Sequence, residues 1–305
     1  MNKNNKHIIS ESIFLDHPNG YKLHLKRFRK ENNAKALLML HGSIENGKIF
    51  YSNSGKGLGP YLAEKGYDVF IPDLRGRGQS TPTINKDSDF GHFDVLEDDF
   101  PFMINYLKNE FQIKEISWLA HSWGGVLMLA YLADCPQDHF PKKMVFIGTK
   151  RYIGTKNLKK LLYIDFFWNF YFKSLISKKG FLPDKLPGGM GSDKETKKSY
   201  EEITRWINET EWMHPGNKFN YADALRKIKL PPSLYITGSN DKVLGNPKDV
   251  IRLINETDQK NTIFKKIGKA DGFKKNYGHI DILTGKEAKE DVYPFIENFL
   301  SGNKD

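Results

Sequence analysis

The 305-residue sequence predicts an α/β fold in which helices cover both faces of a mostly parallel sheet. Short apolar runs typical of buried strands alternate with helical patterns up to about residue 149. Over 150–230 the alternation gives way to helical and loop patterns without a convincing strand, and it resumes from 231. The sequence therefore predicts a core domain made of residues 1–149 and 231–305, with residues 150–230 inserted as a helical cap.

The elements of the first half follow from the spacing of apolar residues. "YKLHLKRF" (21–28) alternates like a half-buried antiparallel strand. Buried strands are predicted for "KALLML" (35–40), "YDVFIPD" (67–73), "EISWLA" (115–120) and "KKMVFIG" (142–148). Helices are predicted for "GPYLAEKG" (59–66), for 93–110 and for "WGGVLMLAYLA" (123–133). Strands that alternate with helices in this way favour parallel pairing.

The second half contains the insertion and the end of the sheet. In the insertion, "LLYIDFFWNFYFKSL" (161–175) is dense in aromatic residues and "ETKKSYEEITRWINETEW" (195–212) has a helical pattern. Two further strands are then predicted, "PSLYITGSND" (232–241) and "NTIFKKIG" (261–268), with helices at 249–254 and 287–300.

Composition excludes some partners. The formal charge is 47 − 37 = +10 and the isoelectric point is near 9.3. The basic residues are dispersed in short pairs and no nucleic-acid-binding motif occurs, so nucleic acid is not an expected partner. Cys135 is the only cysteine, the first residues lack the apolar core of a signal peptide, and no run of 18 apolar residues occurs. These features predict a cytoplasmic protein.

The stretch "LAHSWGGVL" (119–127) places Ser122 where an apolar strand meets an apolar helix. A tight turn at such a junction lifts the side chain out of the sheet and needs small neighbours. Gly124 provides one, whereas Ala120 stands two residues before the serine, where the usual pattern has glycine. An N-cap serine opening a buried helix is the structural alternative.

A serine nucleophile needs a base, and the base needs an acid that orients it. Asp241 ends the strand "LYITGSND", and His279 lies in the later loop "KKNYGHIDIL". The separations, 241 − 122 = 119 and 279 − 241 = 38 residues, leave room for the cap and for one strand–helix unit. We therefore predict that Ser122, His279 and Asp241 meet at one edge of the sheet.

Other acids and histidines compete for these roles. Asp271 and Asp281 flank the histidine in sequence but end no strand, and Asp73 ends a strand that precedes the serine. His121 adjoins the serine, yet neighbouring side chains on a strand point apart. His41 closes an earlier strand, and we expect it to prop the loop that follows.

Together, "LHG" (40–42), "DLRGRGQS" (73–80), "AHSWGG" (120–125), "TGSNDKV" (237–243) and "YGHIDIL" (277–283) resemble the capped serine hydrolases of the α/β-hydrolase superfamily, of the esterase and lipase kind. The resemblance spans nearly the whole chain. It implies an α/β-hydrolase fold: a mostly parallel eight-stranded sheet flanked by helices, with a helical cap inserted after the sixth strand. It also implies catalytic roles for Ser122, Asp241 and His279, and an oxyanion hole formed by the backbone N–H groups of Ser43 and Trp123.

The resemblance implies hydrolysis of a carboxylic ester through an acyl-enzyme on Ser122. No metal-ligand spacing and no phosphate-binding glycine loop occurs, so no cofactor and no metal are expected. Phe166, Phe167 and Trp168 in the aromatic segment are candidates for binding an apolar acyl or aryl group. The same segment could instead contact a membrane or form the core of the cap.

Three alternatives to an esterase stay open, and one of them is an amidase that uses the same three residues. "HSWGG" is also similar to the corresponding stretch of proline-type aminopeptidases, which hold the substrate ammonium with acids in the cap. Glu201, Glu202, Glu209 and Glu211 could do this here. The chain could also be a non-catalytic, ligand-binding member of the fold.

Overall fold

The structure is a computed structural model that describes residues 7–30, 34–187 and 190–302. The strands of the main sheet are β1 (Ile9–Asp16), β2 (Lys22–Arg29), β3 (Lys35–Leu40), β4 (Tyr67–Pro72), β5 (Ile116–His121), β6 (Met144–Ile147), β9 (Ser233–Gly238) and β10 (Thr262–Ile267). They lie in the order β1-β2-β4-β3-β5-β6-β9-β10. The pairs β1–β2 and β2–β4 are antiparallel, and the other pairs are parallel. The predicted mostly parallel, eight-stranded sheet is confirmed.

Helices cover both faces of this sheet. The described α-helices are α1 (Leu58–Glu64), α2 (His92–Asp94), α3 (Phe100–Glu110), α4 (Trp123–Leu132), α5 (Leu158–Lys160), α6 (Lys173–Lys179), α7 (Lys197–Asn208), α8 (Tyr221–Arg226), α9 (Pro247–Glu256), α10 (Asp281–Thr284), α11 (Ala288–Asp291) and α12 (Tyr293–Ser301). Two π-helical segments, Val95–Asp99 and Leu161–Phe172, lead into α3 and α6.

The central strands divide their side chains between two cores because successive residues of a strand point to opposite faces. In β3, Leu38 and Leu40 pack in the core that contains α3, α4 and α9. Leu37 and Met39 pack in the other core, with α1 and α12. All four are fully buried, which explains why the central strands are continuous apolar runs rather than alternating ones.

The inserted segment lies between β6 and β9 and is mainly helical. It also contains a short antiparallel pair, β7 (Phe181–Leu182) with β8 (Glu195–Thr196), which the sequence did not predict because each strand has only two residues. Glu195 forms a fully buried ion pair with Arg77, and Asp193 accepts hydrogen bonds from Gly78 N at 2.6 Å and Asn46 Nδ2 at 2.9 Å. These contacts fix the insertion on the loops that follow β3 and β4.

The strand β1 is another element that the sequence did not predict. Most of its residues are exposed or half-buried, and it pairs only with β2 at the edge of the sheet. The sequence "ISESIFLD" therefore lacks the apolar run that marks the central strands.

Candidate active site

Ser122 lies in the turn between β5 and α4 with a backbone φ of +52° and ψ of −123°, a strained conformation for a residue with a side chain. The turn is tight because the backbone of the β3 loop passes directly beside it. A Cβ on Gly124 would lie 2.4 Å from the carbonyl oxygen of His41, and a Cβ on Gly42 would lie 2.9 Å from Cβ of Ser122. Both positions therefore require glycine. Ala120, where the usual pattern has glycine, is buried in β5 without disturbing this turn.

The structure brings the three predicted residues together. Nε2 of His279 lies 2.9 Å from Oγ of Ser122, and Nδ1 of His279 lies 2.6 Å from Oδ2 of Asp241. Because a carboxylate can only accept, Nδ1 carries the proton and donates to Asp241. Nε2 is then the lone-pair nitrogen, and the Ser122 hydroxyl donates to it.

Asp241 is held as a carboxylate. Burial raises the pKa of its carboxyl group, but the charge and hydrogen bond of His279 and the backbone N–H of Gly245 outweigh burial, so the pKa lies below its ordinary value. Asp241 is 4% exposed, so water does not compete for its bond with the imidazole. The competing acid Asp281 accepts a hydrogen bond from Gly278 N at 2.6 Å and pairs with Lys275 instead.

The two residues predicted to form the oxyanion hole lie beside the candidate nucleophile. Ser43 and Trp123 both line the cavity that contains Ser122. The first N–H groups of a helix have no partner within that helix, and Trp123 begins α4. Gly42 N donates to Glu45 at 2.5 Å and Ile44 N to Glu195 at 3.4 Å, whereas Ser43 N, between them, makes no hydrogen bond to another described residue. The arrangement could hold an oxyanion between two backbone donors.

A buried pair that the sequence did not predict supports this turn. Nδ1 of His121 lies 2.7 Å from Oε1 of Glu45, and Nε2 lies 3.0 Å from the carbonyl oxygen of His279. Both partners are acceptors, so both ring nitrogens carry protons and His121 is an imidazolium. Burial lowers the pKa of His121, but the Glu45 charge outweighs it and the pKa is raised. His121 therefore positions the backbone of His279, and no hydrogen bond joins its ring to Ser122.

His41 has the structural role expected from its sequence. Its Nε2 accepts a hydrogen bond from Leu74 N at 3.0 Å, so its Nδ1 donates to the carbonyl oxygen of Gly42 at 2.8 Å. Burial lowers the pKa of this fully buried imidazole. The ring fixes the loop that carries Ser43.

The cavity beside Ser122 has a volume of about 510 Å³ and is closed on one side by the insertion. Ser122 and His279 both line it. Its apolar wall is formed by Ile153, Ile164, Trp168, Phe172, Ile203 and Ile207. Its charged lining residues are Glu45, Lys48 and Lys150.

Of the three aromatic residues predicted to bind substrate, only Trp168 lines this cavity. Phe166 is 49% exposed and stacks edge-on against Phe167, and neither ring lines the cavity. The helical segment from residue 158 to residue 176 carries apolar residues on two opposite faces. The inner strip is Ile164, Trp168, Phe172 and Ile176, and the outer strip is Leu158, Leu162, Phe166 and Phe170.

The acids that an aminopeptidase would need lie away from the cavity. Glu201 pairs with Lys197, and Glu209 pairs with Arg205. Glu202 accepts a hydrogen bond from His92 N at 2.5 Å, and burial raises its pKa to about 7. None of the four candidate acids, Glu211 included, lines the cavity beside Ser122.

Within the described ranges, no group of three or more His, Cys, Asp or Glu side chains is arranged to hold a metal ion. Residues 7–30, 34–187 and 190–302 likewise include no helix long and apolar enough to span a bilayer.

The fold agrees with comparisons to known proteins. The family model described as the alpha/beta hydrolase fold matches residues 35–285, so the chain belongs to the alpha/beta hydrolase family. A relative named "Probable lipase" in Schizosaccharomyces pombe is 28% identical over 139 residues, which are 40% of this chain and 30% of that protein. The chain thus matches less than a third of the length of that relative.

Two solved structures are similar to most of the chain. An alpha/beta hydrolase of Penicillium sp. sh18 has a TM-score of 0.63 at 15% identity, covering 96% of this chain and 97% of that one. An esterase of Pyrococcus furiosus has a TM-score of 0.61 at 15% identity, covering 96% and 91%. At these identities the likeness shows the fold.

Proposed function

We propose that the protein is a serine hydrolase that cleaves a carboxylic ester through an acyl-enzyme on Ser122. The observation that carries the proposal is the continuous hydrogen-bonded chain from Asp241 through His279 to Ser122. The strained turn at Ser122 adds support, because an N-cap serine would need neither a histidine partner nor a positive φ.

In the proposed reaction, Ser122 Oγ attacks the ester carbonyl carbon while His279 Nε2 takes its proton. The N–H groups of Ser43 and Trp123 stabilise the resulting oxyanion, and each such donor is worth about 3 kcal/mol in the transition state. His279 returns the proton to the leaving alcohol as the carbon–oxygen bond breaks. Water, deprotonated by the same nitrogen, then releases the acid and restores Ser122.

The acyl portion would lie against the apolar wall of the cavity. Trp168 and Phe172, from the inner strip of the insertion, line the same cavity as Ser122. A pocket of about 510 Å³ with this lining fits a small apolar chain or ring. The absence of lining acids from 201–211 favours an ester over the amine-bearing substrate of an aminopeptidase.

Labelling with a fluorophosphonate tests the proposal directly, because the reagent phosphonylates an activated serine. We expect labelling of the wild type but not of Ser122→Ala, and retained labelling of Ser192→Ala, which removes another hydroxyl at the cavity. A panel of p-nitrophenyl esters and aminoacyl amides then separates the activities. Labelling without ester turnover but with release of N-terminal proline would replace the esterase by an aminopeptidase. Absence of labelling and of turnover would leave a ligand-binding member of the fold.

We also infer that the outer strip of the insertion contacts an anionic lipid surface. Leu158 is 84% exposed and Phe170 is 67% exposed. Residues 156–179 contain six lysines and one aspartate, 6 − 1 = +5. Exposed apolar residues beside lysines are typical of helices that lie in the membrane interface.

Sedimentation with phosphatidylglycerol vesicles tests this contact. Replacing both Phe166 and Phe170 by serine is expected to reduce the bound fraction at least several-fold, because the apolar residues that enter the interface are lost. Ile263→Ser is the matched control, since Ile263 is 54% exposed on β10, outside the insertion. Equal binding of all three proteins, or no binding of the wild type, would refute the contact.

A further inference from the structure

Lys150 is a buried amine at the reaction centre that the proposed mechanism does not use. It follows β6 at the start of the insertion, is 7% exposed, and lines the same cavity as Ser122 and His279. Two residues earlier, a Cβ on Gly148 would lie 3.0 Å from the His279 ring, so this stretch of chain packs against the imidazole.

The ammonium group of Lys150 lacks a partner. It forms no hydrogen bond and no ion pair with any residue that the structure describes. The charges of Asp241 and Asp249 raise the pKa of Lys150, but both carboxylates form their hydrogen bonds with other groups. Asp241 accepts a hydrogen bond from His279. Asp249 accepts hydrogen bonds from the backbone N–H groups of Gly154 and Thr155. The side chain is buried while its ammonium group is open to the cavity, and burial lowers the pKa of Lys150 to about 8 although Asp241 and Asp249 raise it. The amine is therefore still mainly protonated at neutral pH.

The other charged residues of the cavity do not neutralise Lys150. Glu45 is occupied by His121 and by Gly42 N. Lys48 is exposed at the rim and adds a second positive charge. The rest of the wall is largely apolar, so the cavity combines an apolar surface with an ammonium group that no described carboxylate contacts directly.

We propose that Lys150 binds a carboxylate carried by the acyl portion of the substrate, so that the enzyme prefers monoesters of dicarboxylic acids. The proposal rests on the ester hydrolase function proposed above. Lys150 lies in the interior, whereas the leaving alcohol must depart towards solvent. The acyl portion remains attached to Ser122 inside the cavity, and it is the part that can reach a buried ammonium. An acyl chain with an apolar middle and an anionic end fits both features of the wall.

The test compares two p-nitrophenyl esters of matched shape. One is the glutarate monoester, and the other has an isopropyl group in place of the carboxylate. The quantity measured is the ratio of kcat/KM for the anionic ester to that for the neutral ester, after subtraction of the rate with Ser122→Ala. A hydrogen bond to a charged group is worth about 1.5–3 kcal/mol, which is about 10- to 140-fold in this ratio.

Lys150→Met, which keeps the length of the side chain and removes the charge, should lower the ratio by that factor. Lys242→Met is the control: it removes an exposed lysine next to Asp241 in sequence that does not line the cavity, and it should change the ratio less than about threefold. An unchanged ratio in Lys150→Met overturns the proposal. An equal fall with both esters also overturns it, because Lys150 would then act on the Asp241–His279 pair rather than on substrate.

A binding measurement separates this proposal from the proposed function. Glutarate should raise the Tm of Ser122→Ala, and the rise should be lost when Lys150→Met is added. If Ser122 is not labelled and no ester is cleaved while glutarate still stabilises through Lys150, the hydrolase function fails and the anion site stands. If Ser122 is labelled but neither the ratio nor the glutarate effect depends on Lys150, the anion site fails and the hydrolase function stands.

Discussion

Replacing Lys150 by methionine should stabilise the protein at pH 7. Burial lowers the pKa of this amine from 10.5 to about 8, whereas in the unfolded chain it has its ordinary value. Below pH 8 both states are protonated, so folding carries the full cost of burying the charge. The difference in pKa, 10.5 − 8 = 2.5, corresponds to on the order of 3 kcal/mol. Methionine removes this cost and fills a similar volume with apolar atoms.

The pH dependence of the free energy of unfolding follows from the same lowering of the pKa of Lys150. Between pH 8 and pH 10.5 the unfolded chain binds more protons at this site than the folded chain, so the wild type gains stability as the pH rises. The advantage of Lys150→Met should therefore shrink from on the order of 3 kcal/mol at pH 7 to about 1 kcal/mol at pH 9.5.

Urea unfolding at both pH values measures this difference in the free energy of unfolding. Lys48→Met, at the exposed rim of the same cavity, should change it by less than about 0.5 kcal/mol. A Lys150→Met variant that is less stable than the wild type at pH 7 would show that the ammonium has a favourable partner in the folded protein. An advantage that is the same at both pH values would show that folding does not lower the pKa of Lys150.

Three further substitutions probe the site. Asp241→Asn should lower kcat by about 10⁴-fold with little change in KM, since an amide cannot hold the required tautomer of His279. A fall in kcat of less than tenfold in steady-state ester assays would contradict the role of Asp241 in orienting His279. Gly124→Ala should lower the free energy of unfolding by about 1–3 kcal/mol, because its Cβ would lie 2.4 Å from a backbone oxygen. A free energy of unfolding in urea equal to that of the wild type would show that the turn can open. Glu45→Gln should cost about 3 kcal/mol, because it leaves the buried His121 imidazolium uncompensated; an undiminished Tm at pH 6 would show that His121 is neutral.

Much of the fold could be predicted because the central strands are buried on both faces. β3, for example, was predicted with its observed bounds, since a strand enclosed by two cores is a continuous apolar run. β1 could not be predicted in the same way, because an edge strand with exposed side chains has no such pattern. The two-residue strands β7 and β8 are formed by pairing across the insertion, and so short a segment carries no periodicity.

In the candidate site, too, some residues could be predicted from the sequence and others could not. Ser122, Asp241 and His279 were predicted because each follows or ends a strand, and the ends of parallel strands meet at one edge of a sheet. The pair of His121 and Glu45 could not be predicted, since it joins residues 76 positions apart without a motif.

The sequence by itself determined the family, the alternation that builds the sheet, and three side chains placed at strand ends, because these depend on local periodicity and chain order. Only the tertiary structure decided which aromatic residues face the cavity. Trp168 faces inward and Phe166 outward because apolar residues occupy both sides of one helix, and packing against the core selects a side. It also decided that Lys150 is buried without a partner, since burial is set by residues far away in the chain.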